Sequence, residues 1–339
     1  MSRKLITIST IMTLMSTSVI ADVPNVAADI SPIHSLVSRV MDGVGAPKLI
    51  VQSGASPHGY RLRPSEAKAL QDADHVFWMG EELTPWLDSA IDTLATKASV
   101  TTLLDQEGII LHDFREGALF EAHDHSAHGD DDHDDHDDHD DHKDHDDHDD
   151  HDDHDDHKDH DDHDDHDDHG SHDPHAWLSP ENAKLWLNII ASKLSVSDPE
   201  NAATYFMNAA AGQAEIEAMI AEVKATLKPV QGGKFVVFHD AYQYFENDFD
   251  FYASGAISLG DSSDPSPARI EKVQKRIRDE GIQCVLAEPQ FKKGLVATVM
   301  EGSDATASVI DPLGTELEVG PKLYTQIIKN MAKTLRNCL

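Results

Sequence analysis

Residues 198–229, DPENAATYFMNAAAGQAEIEAMIAEVKATLKP, read as one long helix. Asp198-Pro199-Glu200 is a cap followed by a proline suited to a first helical turn, and no further proline interrupts the run before Pro229. Almost thirty residues at ~1.5 Å each span on the order of 45 Å, more than one small lobe. Strands and helices alternate before this stretch and the alternation starts afresh after it. The reading is therefore an α/β chain of two lobes, each with a mainly parallel sheet and flanking helices, joined by one rigid helix with a cleft between them. The expected boundaries are an N-terminal lobe over 22–197, a connecting helix over 198–228 and a C-terminal lobe over 229–339. A long surface helix within a single domain is the alternative, and it leaves the restart unexplained.

Working outward, the first half predicts strands at Val23–Ile30, Lys48–Val51, His75–Gly80 and Val100–Leu104. Between them, Ser31-Pro32, Pro64-Ser65 and Thr84-Pro85 open helices. From Pro180, the residues Ala183, Trp186, Leu187, Ile190 and Leu194 recur at helical spacing. The second half predicts strands at Phe235–His239, Phe251–Ala253, Cys284–Ala287 and Ser308–Ile310, with helices over 266–280, 294–300 and from about Pro321.

The 339 residues carry a formal net charge of -36. Residues 123–172 hold 26 Asp, 2 Lys and 17 His, so -24 of that charge belongs to a repeat of mostly His-Asp-Asp. With almost no apolar side chain this tract cannot build a core and is expected to be disordered without metal. The clustered Lys and Arg that attract phosphate are absent, which argues against nucleic acid and anionic membrane as partners. Residues 1–21 read as a secretory signal peptide, with Arg3 and Lys4 ahead of a short apolar and hydroxyl run and cleavage expected before Asp22. No other long apolar stretch predicts insertion into a membrane. Export would bring Cys284 and Cys338, the two cysteines, where thiols oxidise. A bridge between them is expected to contribute on the order of 4 kcal/mol in the chain-entropy model.

Three histidines have stiff surroundings. His175 lies between Asp173-Pro174 and Ser179-Pro180, His58 follows Gly54-Ala55-Ser56-Pro57, and His239 ends the apolar run Phe235–Phe238. Three neutral imidazoles and one oxygen suit a tetrahedral zinc ion. His34 and His75, on a helix and a strand start, are set aside as packing residues.

The motifs Pro57-His58-Gly59-Tyr60, Asp173-Pro174-His175-Ala176-Trp177-Leu178-Ser179-Pro180, Phe238-His239-Asp240-Ala241-Tyr242, Asp264-Pro265-Ser266-Pro267-Ala268, Ala287-Glu288-Pro289-Gln290-Phe291 and Asp311-Pro312-Leu313-Gly314, in that order, resemble a ZnuA-type protein. This is the zinc-binding periplasmic component of an ATP-binding-cassette importer. The resemblance implies metal at the lobe interface held by His58, His175 and His239. The fourth ligand would be either Asp311 or water, with Asp311 also readable as a cap, and the acidic residue some relatives carry before the first histidine is Pro57 here. Glu288 and Asp240 become candidates to accept the imidazoles' other N–H groups. Histidine rather than glutamate at position 239 argues for zinc over manganese.

The resemblance further implies a monomer in the periplasm, delivering Zn2+ to a membrane permease. The tract would add many weaker zinc sites that gather or buffer the ion. No catalysis is expected. A zinc hydrolase is the rival reading, but His-Glu-x-x-His and Gly-x-Ser-x-Gly are both missing. A periplasmic zinc store or chaperone would share every ligand and differ in partner.

Overall fold

The computed structural model describes residues 23–115, 120, 172–258, 260, 265–291 and 293–339. The expected signal peptide and the His/Asp tract up to Ser171 lie outside the described residues.

Four short strands make the first sheet: β1 (Val26–Ala28), β2 (Lys48–Leu49), β3 (His75–Trp78) and β4 (Ser99–Thr102). They run parallel in the order β2-β1-β3-β4. Helices α1 (Ser31–Val40), α2 (Pro64–Gln71) and α3 (Pro85–Leu94) supply the crossovers. All three begin at or next to proline, which fixes the backbone angle of a first turn without forfeiting a helical hydrogen bond. Both β1 and β3 are buried on both faces, as crossover helices on either side of a parallel sheet require.

Next come α4 (Pro180–Ser197) and the 26-residue α5 (Ala202–Leu227). Ser179 caps α4 by accepting a hydrogen bond from the Asn182 amide at 3.3 Å. The long helix of the sequence reading is α5, extended by a short 3-10 turn at Lys228–Val230. It lies against α4 and α1, and Gly212 sits where a Cβ would come within 2.9 Å of Leu187 and 3.1 Å of Arg39. That glycine serves close helix approach.

The second sheet repeats the first with β5 (Phe235–His239), β6 (Ala256–Ser258), β7 (Cys284–Ala287) and β8 (Thr306–Val309), all parallel in the order β6-β5-β7-β8. Helices α6 (Gln243–Phe249), α7 (Pro267–Glu280), α8 (Lys293–Met300) and α9 (Leu323–Cys338) accompany it. Two positions differ from expectation. The second strand of this half is Ala256–Ser258, because Asp250 turns left-handed (φ 50) after α6 and Phe251 stacks on Phe235 at 5.4 Å instead of pairing in the sheet. Helix α6 itself was not foreseen.

One contiguous apolar core runs from the first sheet through α4 and α5 to α9, with a smaller cluster outside each sheet. Helix α9 closes the molecule by packing on α5 and α1. Its Tyr324 amide donates to Ser35 Oγ at 3.0 Å, and its hydroxyl donates to the Trp177 carbonyl at 3.0 Å. Cys284 and Cys338 are bonded, with Cα atoms 5.6 Å apart, tying the last turn of α9 to β7. No helix among the described residues is long and apolar enough to cross a membrane.

Asp29, at the end of β1, joins three elements. Its carboxylate accepts the Ile30 amide and the Met79 amide, both at 2.7 Å, while none of the residue is exposed. Burial outweighs those bonds and pushes its pKa up to about 7 from 3.8. Because the folded value exceeds the unfolded one, the group's contribution to stability is complete below the unfolded pKa and is lost as pH rises through about 7. Between pH 6 and 8 that loss is about 1.4 kcal/mol. Asp29→Asn lowers stability overall by turning an amide donor toward a backbone donor, and it flattens this dependence. Urea midpoints at both pH values check it; equal slopes for the two proteins would disprove the assignment.

Candidate metal centre

His239 is the last residue of β5, and Glu288 follows directly on the end of β7. Parallel strands therefore deliver both side chains to the carboxyl edge of the second sheet, where open α/β sheets place their ligands. Glu288 Oε1 lies 2.6 Å from His239 Nδ1. His175 stands just before a single 3-10 turn, Ala176–Leu178, that leads into α4. Pro174 holds the approach, and Asp173 Oδ1 accepts both the His175 amide at 3.0 Å and its Nδ1–H at 2.6 Å. Each ring thus donates through Nδ1 to a buried carboxylate, which fixes the tautomer and leaves Nε2 as the nitrogen able to accept.

The two Nε2 atoms are 3.4 Å apart. Two Zn–N bonds of ~2.0–2.1 Å at the tetrahedral angle place their nitrogens about 3.3–3.4 Å from each other. The pair is thus spaced for one shared cation, and two lone pairs pointed together gain from a positive charge between them. Asp173 and Glu288, each behind its imidazole, fix the orientation of the two rings.

His58 reaches the same place from the loop after β2. Its ring centroid is 5.5 Å from that of His175, and both rings, with His239, line one cavity of about 20 Å³. A single water or bare cation fits such a volume. Trp177, 5.2 Å from the His175 ring, and Phe291, 5.5 Å from the His239 ring, form apolar walls. Such walls limit solvent and strengthen electrostatic contacts inside. The structure brings the three sequence-chosen histidines to one cavity, yet among the described residues no three His, Cys, Asp or Glu side chains form a ready-made metal-holding group.

Asp311 is engaged differently. Its Oδ1 accepts the amides of Leu313 at 3.0 Å and Gly314 at 2.9 Å, and its Oδ2 accepts that of Thr315 at 2.6 Å. These bonds shape the turn that sets Pro312 and Leu313 on the cavity wall, which Asp311 itself does not line. Of the two residues expected to support an imidazole, Glu288 does so. Asp240 pairs with Arg115 instead, whose Nε lies 3.0 Å from Oδ1 and 3.1 Å from Oδ2, while Arg115 Nη1 donates to Glu246 at 2.6 Å. Burial pushes both carboxyl groups up and the guanidinium holds them down.

Sequence reasoning missed Asp173 as an imidazole partner and missed Arg115. His34 and His75 bond to the Pro47 carbonyl (3.1 Å) and to Ser197 Oγ (2.7 Å), away from the cavity. The roots of the His/Asp tract are stitched beside His175: the Asp173 amide donates to the His112 carbonyl at 2.8 Å, and His172 Nδ1 meets Asp113 Oδ1 at 2.9 Å.

A family model described as ZnuA, zinc-uptake complex component A periplasmic, matches residues 26–338. The chain belongs to the ZnuA family. Membership makes it a periplasmic component of a zinc-uptake system. The high-affinity zinc uptake system protein ZnuA of Brucella abortus (strain 2308) is 49% identical over 314 residues, covering 93% of this chain and 91% of that protein. The protein of the same description from Paracoccus denitrificans (strain Pd 1222) is 45% identical over 320 residues, covering 94% and 93%. Among solved structures, a crystal structure of ZnuA superposes with a TM-score of 0.68 at 18% identity, over 93% of this chain and 100% of that one. A zinc-bound ZnuA deletion mutant gives 0.69 at 18% identity, over 94% and 98%. At those identities the ZnuA structures speak for the fold: two parallel-sheet lobes and a long helix.

Proposed function

We propose that the chain captures Zn2+ in the cavity between its two sheets and delivers it to the membrane permease of an ATP-binding-cassette importer. The observation that carries this reading is the pair of carboxylate-backed imidazoles whose Nε2 atoms lie 3.4 Å apart. His175 and His239 form the preset half of the site, and His58 completes the nitrogen set by a shift of its loop. The fourth place goes to water, since the oxygens of Asp311 already accept backbone amides. Family membership supports the zinc-uptake role, and export through residues 1–21 to the periplasm, a monomeric state and the lobe boundaries at 197–198 and 228–229 belong to the same reading. In the His/Asp tract, weaker sites raise the local zinc concentration near the cavity.

Imidazoles must be unprotonated to bind, so zinc occupancy falls as pH drops through the histidine range. The test is metal analysis of the purified protein, with zinc import measured in cells carrying or lacking the cognate permease. One tightly held zinc and permease-dependent import support the proposal. Import that survives loss of the protein would overturn it, and turnover of an ester or peptide would favour the hydrolase reading.

A further inference from the structure

The turn Glu288–Phe291, closed by the Phe291 amide on the Glu288 carbonyl at 3.2 Å, carries one more polar side chain into the cavity wall. Gln290 lines the same space as His58, His175 and His239, and its Oε1 is buried without a hydrogen-bond partner. Among the described residues that line this cavity, it is the one whose buried side-chain oxygen is orphaned in this way. Native proteins seldom leave a buried amide oxygen unpaired, because its lost hydration is not recovered. Such an oxygen on a residue that lines a site for a cation calls for a donor that arrives with the cation.

We infer that Gln290 holds the fourth ligand: its amide oxygen accepts a hydrogen bond from the water bound to zinc. This inference rests on the three-imidazole reading given above. The chemistry is selective in two ways. A metal-bound water offers only donors, so of the two ends of the amide, the oxygen faces it. A neutral acceptor also leaves the water in place, whereas a carboxylate there would compete to coordinate the metal directly. With Pro57 lacking any side-chain oxygen and Asp311 engaged by three backbone amides, Gln290 gives the cavity an acceptor that orders the exchangeable ligand without adding charge. An easily replaced fourth ligand suits a carrier that must give its ion up.

The experiment compares wild type, Gln290→Leu and Gln290→Glu, each loaded with zinc alone or manganese alone. Affinity is read by competition against a chelator, and the coordination shell by X-ray absorption. Gln290→Leu is expected to bind zinc about 10- to 100-fold more weakly, the range found when outer partners of a metal site are lost. Its shell stays at three imidazole nitrogens and one oxygen, and its metal-free melting temperature is not lower than that of wild type, since an orphaned acceptor has been removed. Gln290→Glu is expected to replace the water by a protein oxygen and to gain manganese affinity relative to zinc. Zinc affinity in Gln290→Leu equal to that of wild type would overturn the inference, as would a lowered metal-free melting temperature large enough to account for the loss. A wild-type shell without imidazole nitrogen would instead overturn the three-histidine site itself, so the two failures are told apart.

Discussion

His239→Ala is expected to weaken zinc binding by roughly 10²- to 10³-fold. Four-ligand zinc sites in small peptides are worth about 10–16 kcal/mol, so one ligand in four carries about 2.5–4 kcal/mol. The substitution removes half of the preset pair at 3.4 Å and strands Glu288, which is buried with its oxygen 2.6 Å from the missing Nδ1. His175→Ala should match it, because Asp173 is abandoned in the same way. On the proposed reading, in which a shift of its loop brings His58 to the ion, His58→Ala should cost less, since that rearrangement offsets part of what the third nitrogen supplies. Isothermal titration against a competing chelator ranks the three. A His239→Ala protein that binds zinc like wild type would remove the site, and a His58→Ala loss exceeding the other two would mean that His58 is already in place before metal binds.

What was legible in the chain was what local chemistry decides. Proline and glycine punctuation located the helices, and the proline-free run before Pro229 announced α5. The three histidines stood out because rigid residues flank them. Asp173 could have been read as the partner of His175: a carboxylate two residues ahead of an amide forms a local turn, and here the same oxygen also takes the ring N–H. Glu288 was legible through the family pattern alone, since 49 residues separate it from His239. Helix α6 was missed because it has seven residues and no side-chain cap, so neither length nor a cap announces it. Phe251 and Tyr252 favour strands by propensity, but the left-handed Asp250 and the stack on Phe235 place them in a loop, a case of tertiary packing overriding propensity. Asp311 looked equally like ligand and cap, and three backbone amides engage it.

Arg115 illustrates a signal that no local reading contains, as its carboxylate partners lie 125 and 131 residues away. Arg115→Ala is expected to lower stability by about 3 kcal/mol near neutral pH, the low end of the 3–5 kcal/mol that follows from stripping one member of a buried ion cluster, because the arginine is 17% exposed. Asp240 and Glu246 stay behind, 6% and 1% exposed, sharing a low-dielectric pocket with like charge. Burial raises both of their pKa values above the ordinary carboxylate range, and the guanidinium opposes that rise. In the variant the opposition is gone, so the folded values climb further above the unfolded ones. Groups with raised folded values favour the native state at low pH and lose that contribution as pH rises through the folded pKa. The gap between wild type and variant therefore narrows on acidification, as the stranded carboxylates take up protons, and widens toward pH 8. Arg115→Lys keeps the charge but loses the fork that reaches both acids, and falls between the two. Urea unfolding at pH 5 and pH 8 tests the sequence of effects; a gap that stays constant with pH would show that Arg115 acts by packing, through the Phe120 ring 3.6 Å beneath its guanidinium, and not by neutralising the two acids. Since Arg115 touches neither His175 nor His239, zinc affinity measured on the folded fraction should change far less than stability does. The cluster secures the strand end that presents His239, and in the proposed site the binding falls to the imidazoles.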